Sequence, residues 1–62
     1  NPVAAILSAA MMLDYLGMPA RAERIERTVT EALEIGVRTF DAGGRMGTKE
    51  FTKGFLEVLD TV

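Results

Sequence analysis

The sequence predicts a mainly α chain: three helices, at about 2–16, 20–35 and 49–59, with a short extended segment before the last. Three observations carry that prediction. An almost uninterrupted apolar run opens on Asn1-Pro2 and stops at Gly17. Ala22, Ile25, Val29, Ala32 and Leu33 recur at spacings of three and four within an otherwise charged stretch. Thr48 leads into a second amphipathic pattern built on Phe51, Phe55, Leu56, Val58, Leu59 and Val62.

The first element is the most unusual. Asn1 offers a side-chain oxygen to an orphan N–H, and Pro2 suits the first helical position, where its missing donor is not needed. From Val3 to Leu16 only Ser8 and Asp14 are polar, so the helix lacks the polar arc that a solvent-facing helix shows. At about 1.5 Å per residue it is too short for the roughly 20 apolar residues of a membrane span. It reads as a buried core helix, and nothing else in 62 residues is large enough to enclose it. Asp14, near its end, is expected to meet a partner outside the chain or to sit at the edge of the core. Gly17 is the expected stop.

Met18-Pro19-Ala20 is a short connection. The second helix carries Arg21, Glu23, Arg24, Glu26, Arg27, Glu31 and Glu34 around its apolar stripe, and Glu23 and Arg27 stand in the favourable i,i+4 order. Gly36 closes it. Val37-Arg38-Thr39-Phe40 is β-branched and aromatic, as a brief extended segment requires. Asp41 to Gly47 is a glycine-rich loop, and Thr48 is the expected cap of the third helix, whose Lys49, Glu50, Lys53, Glu57 and Asp60 face solvent.

Composition excludes much chemistry. With no cysteine and no histidine there is no disulfide, no thiolate or imidazole nucleophile pair, and none of the usual zinc ligands. A formal charge of −2 and a pI near 4.9 argue against nucleic acid or an anionic membrane as partner. No basic segment precedes the first apolar run, so a signal peptide is not expected. A chain of this size buries only about 60% of its unfolded surface and is marginal alone.

The remaining residues offer weak sites. Gly43-Gly44-Arg45-Met46-Gly47-Thr48 before a helix suggests phosphate binding, but a phosphate loop needs Gly-Lys-Ser/Thr in that order after a buried strand. A connecting turn is the simpler reading. Arg45, Lys49 and Lys53 are interleaved with acidic residues, and Asp14 and Asp41 are far apart, so no catalytic group and no metal ligand set emerges.

Read whole, Asn1-Pro2-Val3-Ala4-Ala5-Ile6-Leu7-Ser8-Ala9-Ala10-Met11-Met12-Leu13 resembles the string Asn-Pro-x-Ala-x-x-Leu-Ser-x-x-Met-Met-Leu of the isocitrate, isopropylmalate, homoisocitrate and tartrate dehydrogenases. The likeness continues in register through Tyr15-Leu16-Gly17, Ala22 to Glu26, Gly36 to Thr39, Asp41-x-Gly43-Gly44 and Thr48-x-Glu50-Phe51-Thr52. The resemblance implies the carboxy-terminal part of the α/β large domain of such an enzyme, so that 1–62 is one helical segment and not a complete domain. It implies an oxidoreductase that oxidises a 2-hydroxy acid such as 3-isopropylmalate or isocitrate with NAD or NADP and then decarboxylates it with Mg²⁺ or Mn²⁺. The intact enzyme would be a homodimer, cytoplasmic or, in a eukaryote, mitochondrial.

In that family the metal-binding aspartates, catalytic lysine and tyrosine and substrate arginines lie earlier in the chain, so the segment alone is expected to be inactive and to hold no cofactor. Asn1 matches the family asparagine that meets the adenine. Phe40 stands where NADP-using members often carry tyrosine, and with Asp41 it is expected near the adenosine end of the cofactor. The short glycine-rich loop after it resembles the NAD-using branch, although Ala42 departs from the common leucine. The alternative is a self-associating helical module without catalysis, which would bury the first helix against copies of itself.

Overall fold

The computed structural model describes residues 2–39, 41 and 43–62. Three helices form in order, α1 (Pro2–Tyr15), α2 (Pro19–Glu34) and α3 (Thr48–Leu59), each within a residue or so of its expected bounds. Of the expected extended segment, a single bridge between Thr39 and Met46 remains, and no strand occurs among the described residues.

The first two helices stop in the same way. Gly17 takes φ 82° and Gly36 φ 90°, a region that L side chains avoid. The Gly17 N–H donates to the Asp14 carbonyl at 3.1 Å, and the Met18 N–H reaches back to Leu13 at 2.8 Å. After α2, Gly36 donates to Leu33 at 3.2 Å and Val37 to Ala32 at 2.8 Å. Both are the paired six-to-one and five-to-two bonds that satisfy the last helical carbonyls. The start of α3 differs from expectation. Gly47 is the cap residue and Thr48 is already helical, its carbonyl accepting from the Thr52 hydroxyl at 2.9 Å. A side-chain cap from Thr48 is therefore not made.

The core lies where α2 is flanked by the other helices. Val29 and Ala32 of α2, Val37 after it, and Phe51, Phe55 and Val58 of α3 form one buried cluster, against which Val3 and Ile6 of α1 also pack. The Phe51 and Phe55 rings are stacked with centroids 6.0 Å apart. Leu56, expected on this side, is exposed instead. Thr28 is fully buried within the α2 stripe, its hydroxyl donating to the Arg24 carbonyl at 2.7 Å, which removes the desolvation cost of the polar atom. The expected Glu23–Arg27 ion pair forms at 2.6 Å on the exposed face, where such pairs contribute little.

Arg24 ties the central helix to α3: its Nη2 donates to the Leu59 carbonyl at 2.9 Å, capping the end of α3 from the first turns of α2. Arg24→Ala is expected to lower stability by about 1 kcal/mol, a charged hydrogen bond reduced by its exposure. A urea titration checks it: the midpoint should fall at constant slope.

The molecule measures 35 × 22 × 17 Å. Its thinnest dimension is less than two helix diameters of about 10–12 Å, so no helix can be enclosed on every side. The consequence falls on α1, in which Ala10 is the only buried residue among those described.

Candidate functional site

Two features stand apart from the core: the loop that joins α2 to α3, and the side of α1 turned away from α2.

The loop is closed by backbone. Past the α2 stop, the half-buried Arg38 donates from Nε to the Leu33 carbonyl at 2.8 Å, adding a cationic partner to the end of the helix. The Gly44 N–H then donates to the Thr39 carbonyl at 2.9 Å, and the Met46 N–H to the Arg38 carbonyl at 3.2 Å. Together these bonds bring Gly44 and Met46 back beside Arg38 and Thr39. Gly44 lies so close to Arg38 that a Cβ placed on it would fall 2.1 Å from the Arg38 carbonyl oxygen.

Asp41 lies on the outside of this loop, exposed. The hydroxyl of the buried Thr39 donates to its Oδ1. That hydrogen bond favours the charged form and holds the carboxyl below its ordinary value of 3.8. A carboxyl lowered on folding stabilises the loop above its unfolded pKa, near 3.8, and loses that contribution as the pH falls through the lower folded value. Thr39→Val is expected to return the Asp41 carboxyl to the ordinary range, which a carboxylate titration followed by NMR would register. An unmoved titration would remove Thr39 as the cause.

Of the residues expected at the cofactor's adenosine end, Asp41 is thus an ionised, solvent-facing acceptor. Asn1 and Phe40 lie outside the described residues. Among the described residues no group of three Asp or Glu side chains is placed to hold a metal ion.

The α1 surface is different in kind. Val3, Ile6, Ala10 and Leu13 form the side turned to α2 and α3. On the opposite side Ala4, Ser8, Met11, Met12 and Tyr15 stack at helical spacing, flanked by Leu16. Met11 is 72% exposed, Met12 65%, Tyr15 91% and Leu16 63%. They line a shallow apolar groove of about 480 Å³ with Ser8 as its polar member. Asp14 is exposed and lies off this face, toward its edge. The absence of a polar arc was legible in the sequence. What the structure adds is that the apolar surface divides into an inner and an outer face, and that only the inner one is covered.

The sequence profile of the isocitrate/isopropylmalate dehydrogenase family matches residues 1–56. The chain belongs to that family. An isocitrate/homoisocitrate dehydrogenase of Thermus thermophilus is 53% identical to it over 62 residues, all of this chain and 19% of the relative. A 3-isopropylmalate dehydrogenase of Zymomonas mobilis is 52% identical over 61 residues, 97% of this chain and 18% of the relative. A mitochondrial NAD isocitrate dehydrogenase subunit 1 of Ajellomyces capsulatus is 42% identical over 62 residues, 98% of this chain and 16% of the relative. The chain therefore spans less than a fifth of the length of these relatives and corresponds to a segment of them. No solved structure gives a significant match. No described helix of this family member is long and apolar enough to cross a membrane.

Proposed function

We propose that the 62 residues are the carboxy-terminal helical segment, and not a complete domain, of a homodimeric oxidative decarboxylating dehydrogenase acting on a 2-hydroxy acid such as 3-isopropylmalate or isocitrate. The outward face of α1 is the observation that carries this reading. An apolar helix surface uncovered within its own chain, in a family whose members are about five times longer, fits a layer that packs on the remainder of a larger domain. The enzyme is cytoplasmic, or mitochondrial in a eukaryote.

The cofactor of the whole enzyme is NAD in preference to NADP, with Mg²⁺ or Mn²⁺ assisting decarboxylation. In this reading Asn1 meets the adenine, and Phe40 and Asp41 lie toward the adenosine end. The exposed, ionised carboxylate of Asp41 supports NAD, because it accepts from a ribose hydroxyl and repels a 2′-phosphate. In this reading the metal-binding aspartates of the family lie earlier in the chain, so the ion is held by residues outside this segment.

The test is complementation. The Thermus thermophilus relative, cut back by the segment that this chain matches, is mixed with the 62-residue chain and assayed with isocitrate and either cofactor. Turnover is expected from the mixture, with NAD favoured, and from neither part alone. Within the mixture, Asp41→Asn should narrow the preference by lowering KM for NADP. Turnover by the 62 residues alone, or none from a mixture in which the two parts demonstrably bind, would overturn the proposal.

A further inference from the structure

The outward face of α1 is graded along its length. Toward the amino terminus it presents the small residues Ala4, Ala5, Ser8 and Ala9, all exposed; toward the carboxy terminus it presents Met11, Met12, Tyr15 and Leu16. We propose that, where the rest of the enzyme is absent, a second copy of this chain covers that face, the two α1 helices packing antiparallel about a two-fold axis. The proposal does not depend on the catalytic reading, since it concerns the 62 residues by themselves.

Three observations point to a second copy. Antiparallel pairing sets the bulky half of each face on the small half of the other, so that Tyr15 lies across from the partner's Ala4 and Met11 from the partner's Ser8. A parallel pair would bring bulk against bulk at one end and leave a gap at the other. Isologous contacts of this self-complementary kind are the commonest way in which soluble chains close an oligomer. The area is also sufficient. Tyr15 alone, 91% exposed, presents on the order of 200 Å². The whole face offers on the order of 600 Å², at the upper end of what a monomer leaves contiguous and close to the ~800 Å² per partner of a standard interface. Finally, α1 carries one charge, Asp14, and it lies off the face, so pairing buries no carboxylate.

Sedimentation equilibrium of the 62-residue chain across a range of concentrations tests this. A dimer that dissociates on dilution is expected. Met12→Glu should raise its dissociation midpoint by roughly tenfold or more at unchanged helix content, because the side chain is exposed in the single copy. Lys49→Glu, on the exposed side of α3, should leave the midpoint unchanged. Orientation is read by oxidising an equimolar mixture of Ala4→Cys and Tyr15→Cys chains, in which the mixed disulfide should form well beyond the roughly twofold excess over each symmetric one that random pairing gives. A monomer at every concentration, an oligomer indifferent to Met12→Glu, or a mixed disulfide at no more than its random share would each overturn the proposal.

Discussion

Phe51→Ala is expected to abolish the cooperative unfolding transition of this chain. The ring is 1% exposed, the largest fully buried side chain among the described residues, and it stacks on Phe55. Truncating a buried phenylalanine costs about 3–5 kcal/mol through lost transfer energy and the cavity left behind. The remaining structure has little with which to collapse into that cavity. It shares its cluster with Val29, Ala32, Val37, Phe55 and Val58, drawn from α2, α3 and the segment just after α2. At the usual 0.05–0.15 kcal/mol per residue, a chain of this size holds roughly 3–9 kcal/mol in total. The chain has no cysteine with which to staple a weakened core. Thermal melting followed by far-ultraviolet circular dichroism should show a broad, shallow loss of helix in place of a sigmoid. A retained sigmoid within a few degrees of the parent midpoint would mean that α2 and α3 are held by something other than this cluster.

Gly44→Ala is the second large effect, and its origin is contact, not conformational freedom. The added carbon would lie 2.1 Å from the Arg38 carbonyl oxygen and 2.4 Å from the Arg38 Cβ, both far inside van der Waals contact. Neither atom is the end of a flexible side chain, so the backbone itself must part. Parting it breaks the Gly44–Thr39 and Met46–Arg38 hydrogen bonds together, and with them the only bridge among the described residues. A loss on the order of 2–3 kcal/mol is expected, comparable to overpacking a core. The same change should release the Thr39–Asp41 pairing, since Thr39 is held by the bond it accepts from Gly44. Hydrogen exchange at Gly44 and Met46 reads the first consequence, and the Asp41 titration the second. Protection at both amides equal to that of the parent chain would refute the account.

Much of the fold was legible because its signals are local. Pro2, Gly17, Pro19, Gly36 and the alternation of charged and apolar residues in α2 set helix bounds through cap chemistry and periodicity, neither of which needs a distant partner. The departures arise where the outcome depends on neighbours. Thr48 has the side chain of a cap, yet Gly47 takes the position, because the chain enters α3 extended from the Met46 bridge, one residue earlier than composition suggests. Leu56 falls among apolar residues but one step off the 51, 55, 58 row that meets α2, and so stays exposed. Thr28 lies outside the apolar pattern and is nevertheless buried, because a hydroxyl that bonds back along its own helix needs no solvent.

The loop shows the same limit more sharply. Val37 to Phe40 has the composition of a strand, but a strand needs a neighbour running alongside it for several residues. Among the described residues the glycine loop brings back Gly44 and Met46, with a single bridge at Met46, before the chain turns into α3. Of the cofactor contacts expected from the family, the structure describes Asp41 alone. Its hydrogen bond to Thr39 could be guessed from spacing, but Thr39 donates reliably because it is buried, and burial is not a property of sequence neighbours.

The two-sidedness of α1 implies that one substitution will be judged differently by two kinds of selection. A screen for soluble expression of the isolated 62 residues should enrich glutamate or lysine at Met11, Met12 and Tyr15, because these positions are mostly exposed to water in the single chain. A screen for dehydrogenase turnover in the full-length setting should purge the same variants, while both screens should reject a charge at Ala10, which is buried in either context. The difference between the two variant maps, position by position along one helix, would trace the outline of whatever α1 was shaped to meet.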